Sequence, residues 1–331
     1  MSSITFISPK LYEVIQRNNL NTGKINININ IANNINNINK ININTLSETQ
    51  KIIFDWTDTE PKITNNNYNI KITMPAGGWY NIIISLIDST NNTISTNNII
   101  CGIGEVFVIT GQSNSVNFAE NLLTPKTNKV VSYSDEKGWV LASDPQPGLP
   151  GSGDYGSFYP PFGDGLYYYY RVPIGFIASG IGGTSVKQWQ PTTTFYSYLI
   201  ARMKTYNGNF RAVLWIQGES DFGMEATKYA NYLTNIIEQS NIDMNINIPW
   251  FVSNTSYINF MISESVRKGQ QSLWNNIALQ GPDTDTLIGS NRQDFGTGVH
   301  FSCKGQHNHA VIWLEKIIPW IDSQMNIQTI F

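Results

Sequence analysis

The stretch Gly104–Ser115, GEVFVITGQSNS, decides how the rest of the chain is read. Glu105 to Thr110 is a short run of β-branched and aromatic residues with few polar breaks, the composition of a strand buried on both faces. It stops abruptly at Gly111-Gln112-Ser113-Asn114. A hydroxyl just past the carboxyl end of a central strand, on a turn that glycine permits, stands where open α/β sheets hold their ligands. Ser113 is therefore a candidate nucleophile. A lone Ser-Asn pair could equally cap a following helix, so residues elsewhere in the chain must decide.

At 331 residues the chain suits two domains, and 41% hydrophobic with 12% aromatic residues is enough for sizeable cores. A net charge of −3 with only 14% charged residues gives no basic stripe for nucleic acid and no acidic tail. Partners should be neutral and polar. The opening MSSITFISPKLYEV lacks a basic region followed by an apolar core, and no run approaches the ~18 apolar residues of a membrane helix. The expectation is a protein without a membrane partner, cytoplasmic, virion-borne or exported by a non-classical route. Cys101 and Cys303 are too few for a disulfide framework. Strand direction puts them at opposite ends of the sheet, so they should be unbonded.

The first hundred residues differ from the remainder. Ile25 to Ile31 alternates strictly with asparagine, and the pattern resumes to Ile43 after Ala32-Asn33-Asn34, which predicts a hairpin with isoleucine on one face. Lys51 to Trp56, Tyr68 to Met74, Trp79 to Ile87 and Thr93 to Ile100 read as further short strands. Residues 1–102 are thus expected to be a small β-sandwich-like module. From Gly104 onward strands alternate with helices: strands at Lys129–Ser132, Val172–Ala178, Arg211–Gln217, Pro249–Ser253 and Ile277–Gln280, and helices at Phe162–Tyr170, around Ala226–Ile237 and at Gly305–Trp320. This predicts an α/β domain over residues 103–331, a parallel sheet with helices on both faces and catalytic loops at the strands' carboxyl ends.

Four loops after those strands hold the unusual residues: Ser113; Gly180-Ile181-Gly182-Gly183-Thr184-Ser185 followed by Trp189; Gln217-Gly218-Glu219-Ser220-Asp221; and Gly298-Val299-His300-Phe301-Ser302. A serine nucleophile needs a base, and His300 is the histidine that precedes the last helix rather than lying inside it. Backbone N–H groups at a glycine turn, with an amide side chain, can hold a developing oxyanion. Gly182 and Gln217 fit those roles.

GQSN, the GGTS loop with Trp189, QGESD and VHFS, in that order, resemble the signature blocks of the SGNH/GDSL hydrolases, in particular their sialate O-acetylesterase-like and carbohydrate esterase branch. The resemblance covers about residues 104 to 320. It implies a three-layer α/β/α domain with a flavodoxin-like parallel sheet, and cofactor-free hydrolysis of O-acetyl groups on sugars. Carried over, it makes Ser113 the nucleophile, His300 the general base, and Ser113 N–H, Gly182 N–H and the Gln217 side chain the oxyanion hole. The family's usual acid, three residues before the histidine, is here Thr297. Glu219 of the QGE block is the replacement, with Asp294 or a bare Ser113-His300 dyad as alternatives. Gln112, Asn114 and Trp189 are the candidate substrate contacts, Trp189 as a stacking platform or as a packing lid. Asp221 should anchor the Gln217 loop, and the Gly- and Pro-rich loop Asp144–Tyr159 should touch substrate.

His300, Cys303, His307 and His309 invite a zinc reading, but their spacing matches no usual zinc template, so no metal is expected. The rival reading from another class is a carbohydrate-binding or surface structural protein that kept the fold and lost activity. Thr297 favours that rival; Ser113, Gln217 and His300 oppose it.

Overall fold

The computed structural model describes residues 3–32, 37–206 and 208–325. The amino-terminal strands are β1 (Ser3–Ser8), β2 (Glu13–Gln16), β3 (Thr22–Ala32), β4 (Lys40–Leu46), β5 (Ile52–Asp58), β6 (Asn67–Pro75) and β7 (Gly77–Ile87). The strict alternation works as the residues imply. Ile25, Ile27, Ile29 and Ile31 of β3 and Ile41 and Ile43 of β4 are fully buried in one core, while the asparagines between them turn outward. The expected hairpin is not formed. β3 pairs with β1 and β6, whereas β4 pairs with β5 and β7. Two strands with one apolar face each bury more surface packed face to face than paired edge to edge, and the two isoleucine rows share a core in that way. Asn33 and Asn34 of the expected turn lie outside the described residues.

One long strand runs through both the amino-terminal sheet and the central sheet. β8 (Thr93–Gly111) is 19 residues long, pairs antiparallel with β7 through its first part, and enters the central sheet with its second. The boundary expected at residue 102 thus falls inside a continuous strand. β2 runs parallel to β8 there, and Arg17 and Arg211 converge on buried Glu105 at 2.6 and 2.7 Å. A carboxylate so buried requires such partners.

The central sheet adds β9 (Val130–Ser134), β10 (Gly138–Leu141), β11 (Ile174–Ala178), β12 (Ala212–Ile216), β13 (Trp250–Asn254) and β14 (Leu279–Asp283) in the order β10-β9-β11-β8-β12-β13-β14. All neighbours are parallel except β10 on β9. In a flavodoxin-like order the first strand would lie between the second and third. With β9 and β10 as an added margin, the remaining order β11-β8-β12-β13-β14 has its first strand, β8, between the second and third. IGFIA of β11 is buried at every position and belongs inside a sheet, whereas VVSYS of β9 ends in two half-buried residues suited to the margin.

Helices α1 (Tyr159–Tyr170) and α5 (Cys303–Gln324) cover one face; α2 (Thr194–Thr205), α3 (Ala226–Met244) and α4 (Glu264–Gln271) cover the other. Successive residues of β8 serve opposite faces, Phe107 and Ile109 packing with Phe162, Leu166 and Trp313, and Val106 and Val108 with Leu199, Leu233 and Ile236. Cys101 and Cys303 are unpaired.

Candidate active site

The four loops converge at the carboxyl ends of β8, β11 and β12 and before α5. Gly111 makes the turn after β8: its φ is +128°, and a Cβ there would lie 2.1 Å from Ile216 O. Gln112 N–H then donates to Ile216 O at 2.9 Å, and Ser113 opens a short 3₁₀ turn through Ser115. Ser113 is buried. Among the described residues, neither its hydroxyl nor its N–H has a hydrogen-bond partner. Both are therefore available to a ligand.

Asn114 links the serine loop to the histidine loop. Its Nδ2 donates to Val299 O at 3.0 Å, next to His300, and to Glu219 Oε1 at 2.6 Å. His300 is half-buried, with the Phe118 ring 5.2 Å from its own. Burial, and then the Arg292 guanidinium, hold its pKa below the ordinary imidazole value, while Asp294 acts weakly in the opposite sense.

The expected contact of Glu219 with His300 is not made. Among the described residues, no carboxylate oxygen lies within 4.0 Å of a His300 ring nitrogen. Glu219 is buried, its Oε1 taken by Asn114 and its Oε2 without a partner. Desolvation pushes its pKa up to about 7 against the Asn114 bond, which lowers it. Thr297 is exposed, its hydroxyl donating to Asp294 O at 2.8 Å, and Asp294 is exposed beside it.

The expected oxyanion donors are placed unevenly. Ser113 N–H has no acceptor among the described residues, but Gly182 N–H donates to Gly151 O at 2.9 Å. The next residue, Gly183, has no acceptor for its N–H among the described residues, and open space where a Cβ would stand. Gln217 is fully buried, and its amide nitrogen faces three acceptors: Asp221 Oδ2 at 2.6 Å, Thr184 O at 3.0 Å and Gln112 Oε1 at 3.2 Å. Two amide hydrogens cannot serve a fourth acceptor without giving one up. Gln112 points the same way, its Oε1 also accepting from Gly218 and Ser220 N–H. Gln112 Oε1 and the Gln217 amide thus tie loops together.

Of the two readings of Trp189 the packing one is seen: at 0% exposure its indole packs against Trp215 and donates to Thr184 Oγ1 at 2.9 Å. Asp221 anchors the Gln217 loop to the next one, accepting from Gln217, from Val186 N–H at 2.7 Å and from Ser185 Oγ. The Asp144–Tyr159 loop borders the site through Gly151 O and is held by buried Asp144, which accepts from Ser157 and Leu123 N–H.

Arg292 had no signal in the sequence. It is buried between the rings of Tyr257 and Phe301, at 4.6 and 4.1 Å, and donates to Leu287 O, Thr284 O and Val299 O at 2.7, 2.8 and 2.6 Å. A planar fork with fixed donors suits three carbonyls as a lysine cannot. Arg292→Lys is expected to lower kcat roughly tenfold, because the carbonyl preceding His300 loses its clamp. Arg292→Met should also move the acid limb of the pH profile upward, since the cation that depresses the imidazole is gone. Steady-state kinetics across pH check both.

Together these elements make a mixed α/β protein with four loops gathered at the strands' carboxyl ends and before the last helix. A family model described as carbohydrate esterase, sialic acid-specific acetylesterase, matches residues 103–318, and the chain belongs to that family. It is 32% identical over 78 residues to a probable carbohydrate esterase of Arabidopsis thaliana, a segment covering 22% of this chain and 30% of that protein's length. A solved structure of an Arabidopsis thaliana protein superposes with a TM-score of 0.52 at 19% identity, over 67% of this chain and 98% of that one. A carbohydrate acetylesterase from Xanthomonas citri superposes with a TM-score of 0.55 at 15% identity, over 95% of this chain and 76% of that one.

Proposed function

We propose that the protein is a serine esterase of the SGNH type that removes O-acetyl groups from carbohydrates through an acetyl-enzyme on Ser113. The observation that carries this reading is the free hydroxyl and free N–H of Ser113 on a glycine turn at a strand end, tied through Asn114 to the loop bearing His300. In the acylation step Ser113 Oγ attacks the ester carbonyl as His300 takes its proton, and the tetrahedral oxyanion is held by Ser113 N–H and the Gly182-Gly183 turn, Gly183 being the free donor. The alcohol leaves with the proton from His300. Water, deprotonated in turn by His300, then releases acetate and restores the serine.

His300 works in this scheme without a directly bonded carboxylate. Asp294 is the acidic group whose charge acts on the imidazole, and Glu219 supports the site through Asn114. Because the neutral imidazole is the base and its pKa is depressed, the acid limb of kcat/KM is expected below pH 6.5; a limb above that value would contradict the assignment. Acetate release from a panel of O-acetylated sialic acids and xylo-oligosaccharides tests the reading, with an aryl acetate as a small reference. Binding of these sugars without any turnover would favour the carbohydrate-binding alternative.

A further inference from the structure

Six exposed apolar side chains stand on the loops that follow β12, β13 and β14: Phe222, Phe260, Met261, Ile262, Ile288 and Phe295. Those loops touch one another. Gly223 N–H donates to Ser263 Oγ at 3.0 Å and Tyr257 O–H donates to Gly296 O at 2.7 Å, while a Cβ on Gly296 would lie 3.2 Å from Phe260 Cε1 and 3.1 Å from Gly289 Cα. The result is an apolar rim at the end of the sheet where Ser113 and His300 stand.

Phe295 is the extreme member, at 104% exposure. It and Asp294 are successive non-glycine residues in the left-handed region, with φ of +57° and +52°. For a bulky side chain that conformation is a true outlier, kept only where its surroundings impose it. They do. Gln293 N–H donates to His300 O at 3.0 Å, Gly296 and Gly298 N–H donate to Gln293 O at 3.0 and 3.1 Å, and the Thr297 hydroxyl closes on Asp294 O. The bond that closes this excursion lies on His300 itself. A bare aromatic ring is thus exposed to water on a strained loop that is hydrogen-bonded to the backbone of the base.

Resting on the esterase reading above, we propose that Phe295 is a stacking platform for a second sugar ring, so that the substrate is an acetylated oligo- or polysaccharide rather than a monosaccharide. A pyranose offers an apolar C–H face to an aromatic ring while its hydroxyls remain wet, and the exposed carboxylate of the preceding residue, Asp294, is a hydrogen-bond acceptor for them.

The test compares wild type, Phe295→Ala and Phe295→Trp on three probes: an aryl acetate, an acetylated xylose and an acetylated xylo-oligosaccharide. Phe295→Ala should raise KM for the oligosaccharide about fivefold to tenfold, leave the two small probes within about twofold, and be rescued by Phe295→Trp. Phe295→Gly, which relieves the backbone, should raise the thermal midpoint and show the same KM change. An unchanged oligosaccharide KM, or an equal change on all three probes, overturns the platform while leaving the esterase intact. A wild type inactive on every probe overturns the esterase reading itself.

Discussion

Replacement of Ser113 by alanine is expected to abolish ester hydrolysis, lowering kcat/KM by on the order of 10⁴-fold or more, with the thermal midpoint unchanged. The hydroxyl has no hydrogen-bond partner among the described residues, so its removal strands no donor or acceptor and opens a space of only one oxygen. A loss of activity with stability intact separates a nucleophile from a packing residue. Retained activity on both an aryl acetate and an acetylated sugar would mean that another group carries the acyl transfer.

The second large effect concerns stability. The buried Glu219 carboxyl titrates near 7 in the folded protein against an ordinary 4.5, because desolvation outweighs the bond from Asn114. Folding therefore favours the protonated form. The cost of burial is absent below pH 4.5, grows as the unfolded chain releases its proton, and is complete above about pH 7, where it amounts to about 3 kcal/mol. Glu219→Gln keeps an oxygen for Asn114 and has nothing to ionise, so its thermal midpoint should exceed that of wild type by several degrees at pH 8 and match it near pH 4.5. Thermal unfolding at the two pH values checks this. Activity of the same variant bears on the acid: near-full kcat for Glu219→Gln with an inactive Asp294→Asn assigns the role to Asp294, while full activity in both leaves a Ser113-His300 dyad.

Much of this architecture was legible in the residues. The strict Ile/Asn alternation foretold buried strands because a period of two admits one buried face, and the apolar run ending in GQSN foretold a central strand with a serine at its end. What alternation cannot tell is the partner, so the predicted hairpin became strands of two sheets sharing a core. The sequence predicts two strands, Thr93–Ile100 and Glu105–Thr110, where β8 is continuous; Gly102 and Gly104 between them admit Pro173, which a Cβ at either position would strike. Helices α2 and α4 escaped because TFYSYLIARMKT carries a weak apolar stripe and ESVRKGQQ spans only eight residues.

In the site, residue identity located the loops but not the direction of each polar group. Gln217 suits an oxyanion donor by chemistry, yet Asp221, Thr184 and Gln112 surround its amide nitrogen. Trp189 suits a sugar platform by composition, yet Thr184 and Trp215 enclose it, and the exposed aromatic is Phe295. Arg292 had no sequence mark because its partners are backbone carbonyls of residues 284, 287 and 299, which any residue type supplies.

The central claim is that the acyl group passes through Ser113. Wild-type protein mixed with an excess of aryl acetate, quenched in acid within the first turnover and digested, should yield an acetylated peptide containing Ser113, the modification mapping to that side chain by mass spectrometry and vanishing in Ser113→Ala. Full hydrolysis with no acetylated serine at any quench time, accompanied by undiminished hydrolysis in the Ser113→Ala variant, would contradict the account.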